Sequence, residues 1–188
     1  MRYLTHPEVD IDPERPVGLW RLSKEGRTRT EALARMMSCP DLLVSSAETK
    51  AVETAAILAG QTGATLQVRP AMHENDRSST GFLEAADFEY ARHAFFGAPE
   101  VSFRGWERAV DAQARIVAEV NAVCATHSDK EVVFVGHGAV GTLLYCDMAR
   151  EAISAEWDQG PGGGGNWFSW SLGSAPKHHW RAMEEWDA

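Results

Sequence analysis

Two short apolar runs, far apart in the chain, each end at a histidine. Residues 2–4 (RYL) lie just before His6, and residues 132–135 (VVFV) lie just before His137. Uninterrupted apolar runs of this length are typical of strands that are buried on both faces of a parallel sheet. An open parallel sheet binds ligands just beyond the carboxyl ends of its strands. The two imidazoles are therefore predicted to meet in one crevice.

The rest of the pattern alternates between helix and strand. Residues 28–37 and 107–125 have helical apolar spacing, and residues 138–148 also favour a helix, whereas 41–44 and 167–172 favour strands. Weak periodicity over about 74–106 is typical of an insertion folded over a sheet. This order predicts one domain over 1–188, a three-layer α/β/α sandwich with a mostly parallel central sheet and an inserted lid segment.

The segment after the second predicted strand has the features of a helix start. Ser45 followed by Glu48 matches a capping box, so a helix is expected to begin there. Lys50 then falls in the first helical turn, where its charge adds to the positive end of the helix dipole and suits an anionic ligand. The proline-rich residues 7–16 are expected to form a loop beside His6.

Composition limits the classes of partner. The formal net charge of -9 argues against nucleic-acid or anionic membrane surfaces, which draw on clustered Lys and Arg. Three cysteines without a close pair indicate neither a disulfide framework nor a thiolate metal site. No apolar stretch reaches membrane-spanning length, and acidic residues follow the N-terminus too soon for a signal peptide. A soluble cytoplasmic protein is expected.

Four motifs, taken in order, resemble those of the histidine phosphatase superfamily, the group that includes cofactor-dependent phosphoglycerate mutase. That family has Arg-His-Gly after the first strand, Ser-Ser-Pro-x-x-Arg-Ala-x-x-Thr-Ala at a helix start, Leu-x-Glu before the insertion and His-Gly after a later strand. The corresponding segments here are Thr5-His6-Pro7, residues 45–55 (SSAETKAVETA), Met72-His73-Glu74 and His137-Gly138. Residues 22–26 (LSKEG) also match a family pattern, and the resemblance extends to about residue 145.

The resemblance implies a metal-independent phosphatase without a cofactor, acting on a small-molecule phosphomonoester. His6 would attack phosphorus and form a phosphohistidine, which suits a neutral imidazole. Its other ring nitrogen requires a backbone carbonyl, expected from the proline-rich loop. Glu74 would protonate the leaving oxygen, so its pKa is expected to be raised. His137 and Lys50 would neutralise the phosphoryl oxygens.

Two departures concern the anion clamp. Thr5 and Lys50 replace the family's arginines, which removes planar, bidentate phosphate contacts. Arg77 is predicted to compensate, with Arg15 and Arg21 as weaker candidates. The predicted phosphate-binding residues are thus Thr5, Lys50, Arg77 and Gly138, and the candidate substrate contacts are Arg15, Arg21, Ser78, Trp106 and Glu107.

Three alternatives remain open at this stage. The fold can persist as a phosphate-ligand binding or regulatory module without turnover, which Thr5 and Lys50 favour. A phosphomutase is a weaker alternative, because reloading His6 needs a second anionic subsite. The third concerns the apolar edge strand near Trp167, which either pairs with a second copy to form a homodimer or is covered by the C-terminal tail. The glycine-rich residues 160–165 are expected to be a flexible connection, and the substrate is not readable from the sequence.

Overall fold

A mostly parallel sheet forms the centre of the molecule. The computed structural model describes residues 1–160 and 162–187. Within these ranges the sheet has six strands: β1 (Arg2–Thr5), β2 (Leu42–Ser46), β3 (Thr65–Arg69), β4 (Val132–Gly136), β5 (Asn166–Ser169) and β6 (Arg181–Ala182). Their spatial order is β3-β2-β4-β1-β5-β6. The first four strands in this order run parallel, and β5 and β6 add antiparallel pairs.

The strand register places the two histidines side by side. Thr5 at the end of β1 lies opposite Gly136 at the end of β4. The His6 N–H then donates to the Gly136 carbonyl at 3.0 Å, which continues the pairing by one residue. Both histidines therefore emerge at the same carboxyl edge of the sheet, as predicted.

Five helices cover the two faces of the sheet over the described part of the chain: α1 (Lys24–Met36), α2 (Thr49–Thr62), α3 (Ala85–Gly97), α4 (Ala109–Thr126) and α5 (Gly138–Ala149). Leu33 of α1 and Leu58 of α2 pack with Val133 on one face. Ile116 of α4 and Leu143 of α5 pack with the opposite-facing side chains, and α3 joins this second core. The three-layer α/β/α sandwich is thus confirmed.

Several element bounds differ from those predicted. Helix α1 begins four residues early, because the Ser23 hydroxyl accepts a hydrogen bond from the Gly26 N–H at 3.1 Å and caps the helix. A Cβ at Gly26 would lie 2.2 Å from the Glu8 carbonyl oxygen, so only glycine allows this close approach. The predicted strand 167–172 is β5, which ends at Ser169. The insertion contains α3, and the sequence analysis missed β3 and β6.

The predicted capping box at Ser45 and Glu48 is wrong. Ser45 lies inside β2, and its hydroxyl donates to the Ser46 carbonyl. Glu48 is itself the residue before α2, and its backbone N–H donates to Ser46 Oγ at 3.2 Å. The physical reason is that the Glu48 carboxylate binds the Lys50 side chain and the Glu74 N–H instead of capping its own helix. Lys50 nevertheless occupies the first turn of α2, as expected.

The C-terminal tail covers the strand that contains Trp167. Strand β6 pairs with β5 through Trp167 and Arg181, and the Trp167 indole N–H donates to the Ala182 carbonyl at 3.1 Å. Among the described helices, none combines the length and the apolar character needed to span a bilayer.

Candidate active site

His6 lies at the end of β1 with its ring orientation fixed by the loop that follows. Its Nδ1 lies 2.8 Å from the Pro7 carbonyl oxygen, so Nδ1 carries the proton and Nε2 has the lone pair. Burial, the positive charge of Lys50 and that of Arg77 lower the pKa of His6 to about 4, despite the opposing effect of the Pro7 carbonyl. The imidazole is therefore neutral and nucleophilic near neutral pH.

His137 faces His6 from the end of β4. The two ring centroids are 5.3 Å apart, in an edge-on arrangement. His137 is fully buried, and its Nε2 lies 2.8 Å from Ser46 Oγ. The Nδ1 of His137 has no hydrogen-bond partner among the described residues, so the tautomer with the proton on Nδ1 offers a donor to a phosphoryl oxygen.

Glu74 follows the short turn Pro70–Met72 and reaches the start of α5. Its carboxylate accepts the backbone N–H groups of Asn75, Ala139 and Val140 at 3.0–3.1 Å. Burial and the charge of Glu48 raise the pKa of Glu74, and they outweigh the opposing effects of these N–H groups and of Arg77. Glu74 lines one cavity with His6 and Gly138. A carboxyl group so placed, with a raised pKa, suits a general acid.

Glu48 is a site residue that the sequence analysis missed. Its Oε2 forms an ion pair with Lys50 Nζ, and its Oε1 accepts the Glu74 N–H at 2.8 Å. The same Oε1 lies 3.7 Å from His137 Nε2. Burial acts to raise the pKa of Glu48, but His137 and Lys50 lower it below its ordinary value. A carboxylate two residues before Lys50, at the end of a predicted strand, was the signal available in the sequence.

Lys50 is therefore less available to an anion than predicted. Its side chain is 4% exposed, and Nζ also donates to the Val17 carbonyl at 2.9 Å. The Glu48 carboxylate balances its charge within the site. The local field that Lys50 offers to a phosphate is correspondingly weakened.

Arg77 is placed where several cavities meet. It lines the cavity that contains His6, the cavity that contains Glu48 and His73, and a third, apolar cavity. Its guanidinium lies 4.8 Å from the centroid of the Phe88 ring. Its Nε is buried without a hydrogen-bond partner in the described part of the chain, and no carboxylate of that part pairs with it. Arg77 is thus a cation available for an anionic ligand.

Thr5 does not line the cavity of His6, and its hydroxyl belongs to a buried network. Its hydroxyl donates to Gln159 Oε1 at 2.7 Å and accepts the Asn166 N–H at 2.9 Å. Thr5 is 1% exposed. The position of the family's first arginine here holds a structural hydroxyl, because its hydrogen bonds link β1 to β5 and the preceding loop.

Glycines form part of the wall of the His6 cavity. Gly138, Gly160 and 162–164 line it, and the expected flexible connection thereby becomes part of the site; Pro161 lies outside the described residues. The Gly165 N–H donates to the His6 carbonyl at 3.0 Å. A Cβ at Gly164 would lie 2.2 Å from that same carbonyl oxygen, and Gly164 has a φ of +87°. Both facts require glycine at this position.

The other predicted substrate contacts are divided between cavity and surface. Arg15 and Ser78 line the cavity that contains Glu48, although Arg15 also pairs with Asp12 at 3.1 Å. Trp106 lines the His6 cavity, buried, with its indole N–H on Thr80 Oγ1. Arg21 is exposed and pairs with Glu53, and Glu107 pairs with Arg115, so the structure brings neither to the cavities described here.

Two charged residues of the His6 cavity wall were not among the predicted site residues. Arg92 of α3 pairs with Asp158 at 3.1 Å across this cavity. They lie in the insertion and in the loop before the glycines, where no motif marks them. As for metals, the described residues hold no cluster of three or more His, Cys, Asp or Glu side chains suited to an ion.

Several solved structures resemble this chain over almost its full length. The mycobacterial glucosyl-3-phosphoglycerate phosphatase in complex with VO3 is 25% identical, with a TM-score of 0.72, over 100% of this chain and 98% of that one. YhfR of Bacillus stearothermophilus is 20% identical (TM-score 0.77; 95% and 93% covered). The alpha-ribazole phosphatase of Shigella flexneri is 15% identical (TM-score 0.75; 97% of each chain). The last two similarities show the fold alone.

A search of curated proteins found no match. Residues 18–164 match the sequence model of the histidine phosphatase superfamily (branch 1). This match covers most of the chain and includes Glu74, His137 and the helix start at Lys50, and the sheet and the paired histidines agree with it. The chain belongs to the histidine phosphatase superfamily.

Proposed function

We propose that the protein is a phosphomonoester hydrolase that acts through a phosphohistidine at His6. The observation that carries this proposal is the pairing of a neutral His6, fixed through Nδ1 by the Pro7 carbonyl, with the carboxyl group of Glu74 in one cavity. A nucleophile with a free lone pair and an acid with a raised pKa are the two groups that the reaction requires.

In the first step, His6 Nε2 attacks phosphorus while the bond from phosphorus to the ester oxygen breaks. The carboxyl group of Glu74 gives its proton to that oxygen, so the alcohol leaves neutral. His137 Nδ1–H and Arg77 hold the phosphoryl oxygens, on which charge resides in the transition state. The first products are the alcohol and phospho-His6.

In the second step, the Glu74 carboxylate accepts a proton from water. The water oxygen attacks phosphorus and the bond to His6 Nε2 breaks, which releases inorganic phosphate and restores both groups. The scheme requires no cofactor and no metal, and its substrate is a small-molecule phosphomonoester in the cytoplasm.

A second candidate is a phosphate-ligand binding module without turnover. The Glu48–Lys50 ion pair favours it, since it places a carboxylate beside the predicted anion site. The buried engagement of Thr5 favours it as well. The retained His6 and Glu74 oppose it.

The test is phosphate release from a broad panel of phosphomonoesters in the presence of a chelator. His6→Ala is expected to lower release by at least about a thousandfold, because it removes the nucleophile. The exposed His93 provides a matched control, and His93→Ala is expected to retain wild-type turnover. Acid quenching of the wild type should trap acid-labile phosphate on the protein.

Turnover that persists in His6→Ala would refute the phosphohistidine route. Release from neither protein, combined with calorimetric binding of inorganic phosphate to both, would favour the binding module instead.

A further inference from the structure

We infer that the preferred substrates carry an apolar group on the ester oxygen, and that this group binds in the apolar cavity next to the reaction site. The apolar cavity lies between the proline-rich loop and the start of the insertion, and its large apolar side chains are those of Ile11, Val17, Trp20, Phe82, Leu83 and Phe88. This inference rests on the proposed function, because it concerns the leaving group of the same reaction.

The apolar cavity adjoins the reaction site through shared lining residues. Arg77 lines both the apolar cavity and the cavity of His6, and Phe88 is shared between the same two. Val17 and Phe82 are shared with the neighbouring cavity that contains Glu74. In the arrangement inferred here, a phosphate held by Arg77 against His6 has its ester substituent in this lining.

The lining offers few partners for hydroxyl groups. Its charged side chains are Arg77 and Glu84, and the Trp20 indole N–H already donates to the Asp12 carbonyl at 2.8 Å. A sugar bound there would leave hydroxyl groups without partners, which costs free energy. An aromatic or alkyl group instead removes its own surface and that of Phe82 and Ile11 from water.

The size of the apolar cavity fits such a group. Its volume is ≈ 400 Å³. A dry apolar cavity of about 150 Å³ already binds benzene, so a phenyl ring with a two-carbon linker fits within it. Ile11 is 61% exposed although it is a large apolar side chain, and a bound ring would cover it.

The test compares 2-phenylethyl phosphate with ethyl phosphate. Both release a primary alcohol of similar acidity, so the chemical difficulty of the step is matched and the ratio of kcat/KM reports binding of the phenyl group. The ratio is expected to be at least about ten in the wild type. Ile11→Ser and Phe82→Ser are expected to lower it toward one.

The exposed Leu19 provides the matched control. It belongs to the same short turn as Val17 but does not line the apolar cavity, so Leu19→Ser is expected to keep the wild-type ratio. A wild-type ratio near one, or a ratio that falls equally in Leu19→Ser, would overturn the inference.

A binding measurement separates this inference from the proposed function. The phosphonates of the same two groups cannot be hydrolysed, and calorimetry with the wild-type protein should show at least about tenfold tighter binding of the phenylethyl compound. That preference without hydrolysis of either ester would support the apolar cavity and refute the hydrolase. Hydrolysis of both esters with equal kcat/KM and equal phosphonate affinity would support the hydrolase and overturn the apolar cavity.

Discussion

The catalytic side of this site follows the family pattern more closely than its anion-binding side does. His6, His137 and Glu74 keep both their residue types and an arrangement suited to phosphoryl transfer. Thr5 and Lys50, at the positions of the family's arginines, instead bind other residues of the protein. The adjacent residues Thr5 and His6 thus have different roles. The Thr5 side chain links β1 to β5, whereas the His6 side chain lines the cavity.

The two sides differ in the positive charge available to a phosphate, whereas the nucleophile itself is retained. Lys50 is balanced by Glu48, whereas Arg77 of the insertion forms no ion pair in the described part of the chain. The nucleophile and the general acid are therefore in place, whereas binding of the anionic phosphate is expected to depend on Arg77. Substitutions on each side should change different kinetic quantities.

The largest effect is expected for Glu74→Gln. Without the proton donor, kcat for ethyl phosphate should fall by about 10²–10⁴-fold, because an alkoxide is a poor leaving group. The fall should be much smaller for p-nitrophenyl phosphate, whose phenolate leaves without protonation. Steady-state kinetics on both esters provides the measurement.

The control for this change is Glu100→Gln, an exposed carboxylate at the end of the insertion. It should leave both rates unchanged. Equal losses for the two esters in Glu74→Gln would instead indicate that Glu74 positions α5 through its contacts with the Ala139 and Val140 N–H groups and does not transfer a proton.

The next effect is expected for Arg77→Ala. Loss of one charge-assisted contact should lower kcat/KM for a phosphomonoester by about ten- to a hundredfold. The melting temperature should change little, because Arg77 forms no ion pair with the described residues. Arg21→Ala is the control, since Arg21 is exposed and pairs with Glu53. An unchanged kcat/KM in Arg77→Ala would remove Arg77 from the site.

The sequence predicts the catalytic side of the site better than the anion-binding side. The strand ends at His6 and His137 and the sandwich around them follow from local apolar runs and from general rules of sheet topology. The capping box failed at Glu48 because its carboxylate binds the Lys50 side chain and the distant Glu74 N–H instead of forming a local cap. Likewise, the direction of Thr5 depends on Gln159 and Asn166, more than 150 residues away, and no local pattern reports such contacts.

Glu48→Gln should increase the positive charge that the anion-binding side offers to a phosphate. Without the carboxylate, Lys50 gains freedom to bind an anion, and inorganic phosphate should inhibit about tenfold more strongly, which corresponds to about 1.4 kcal/mol. The charge of Glu48 also raises the pKa of Glu74. Because Glu74 must be protonated to act, the alkaline limb of the kcat profile should move to lower pH in this variant.

Two measurements check this prediction: the inhibition constant of phosphate and the pH profile of kcat. Glu156→Gln, an exposed carboxylate without a hydrogen-bonding role for its side chain in the described contacts, should move neither. Weaker phosphate inhibition with an unshifted pH profile would mean that Glu48 only holds Lys50 in place.

The smallest effect on activity is expected for Thr5→Val. The substitution keeps the shape but removes the hydroxyl, which leaves the Asn166 N–H without a partner and removes one of the two donors to Gln159 Oε1. The free energy of unfolding should fall by about 1–3 kcal/mol, measured by urea denaturation, while kcat/KM changes little. Thr5→Ser should restore much of the stability, because it restores the hydroxyl. A large loss of kcat/KM at unchanged stability would instead assign the hydroxyl to the phosphate and place Thr5 on the side of the anion.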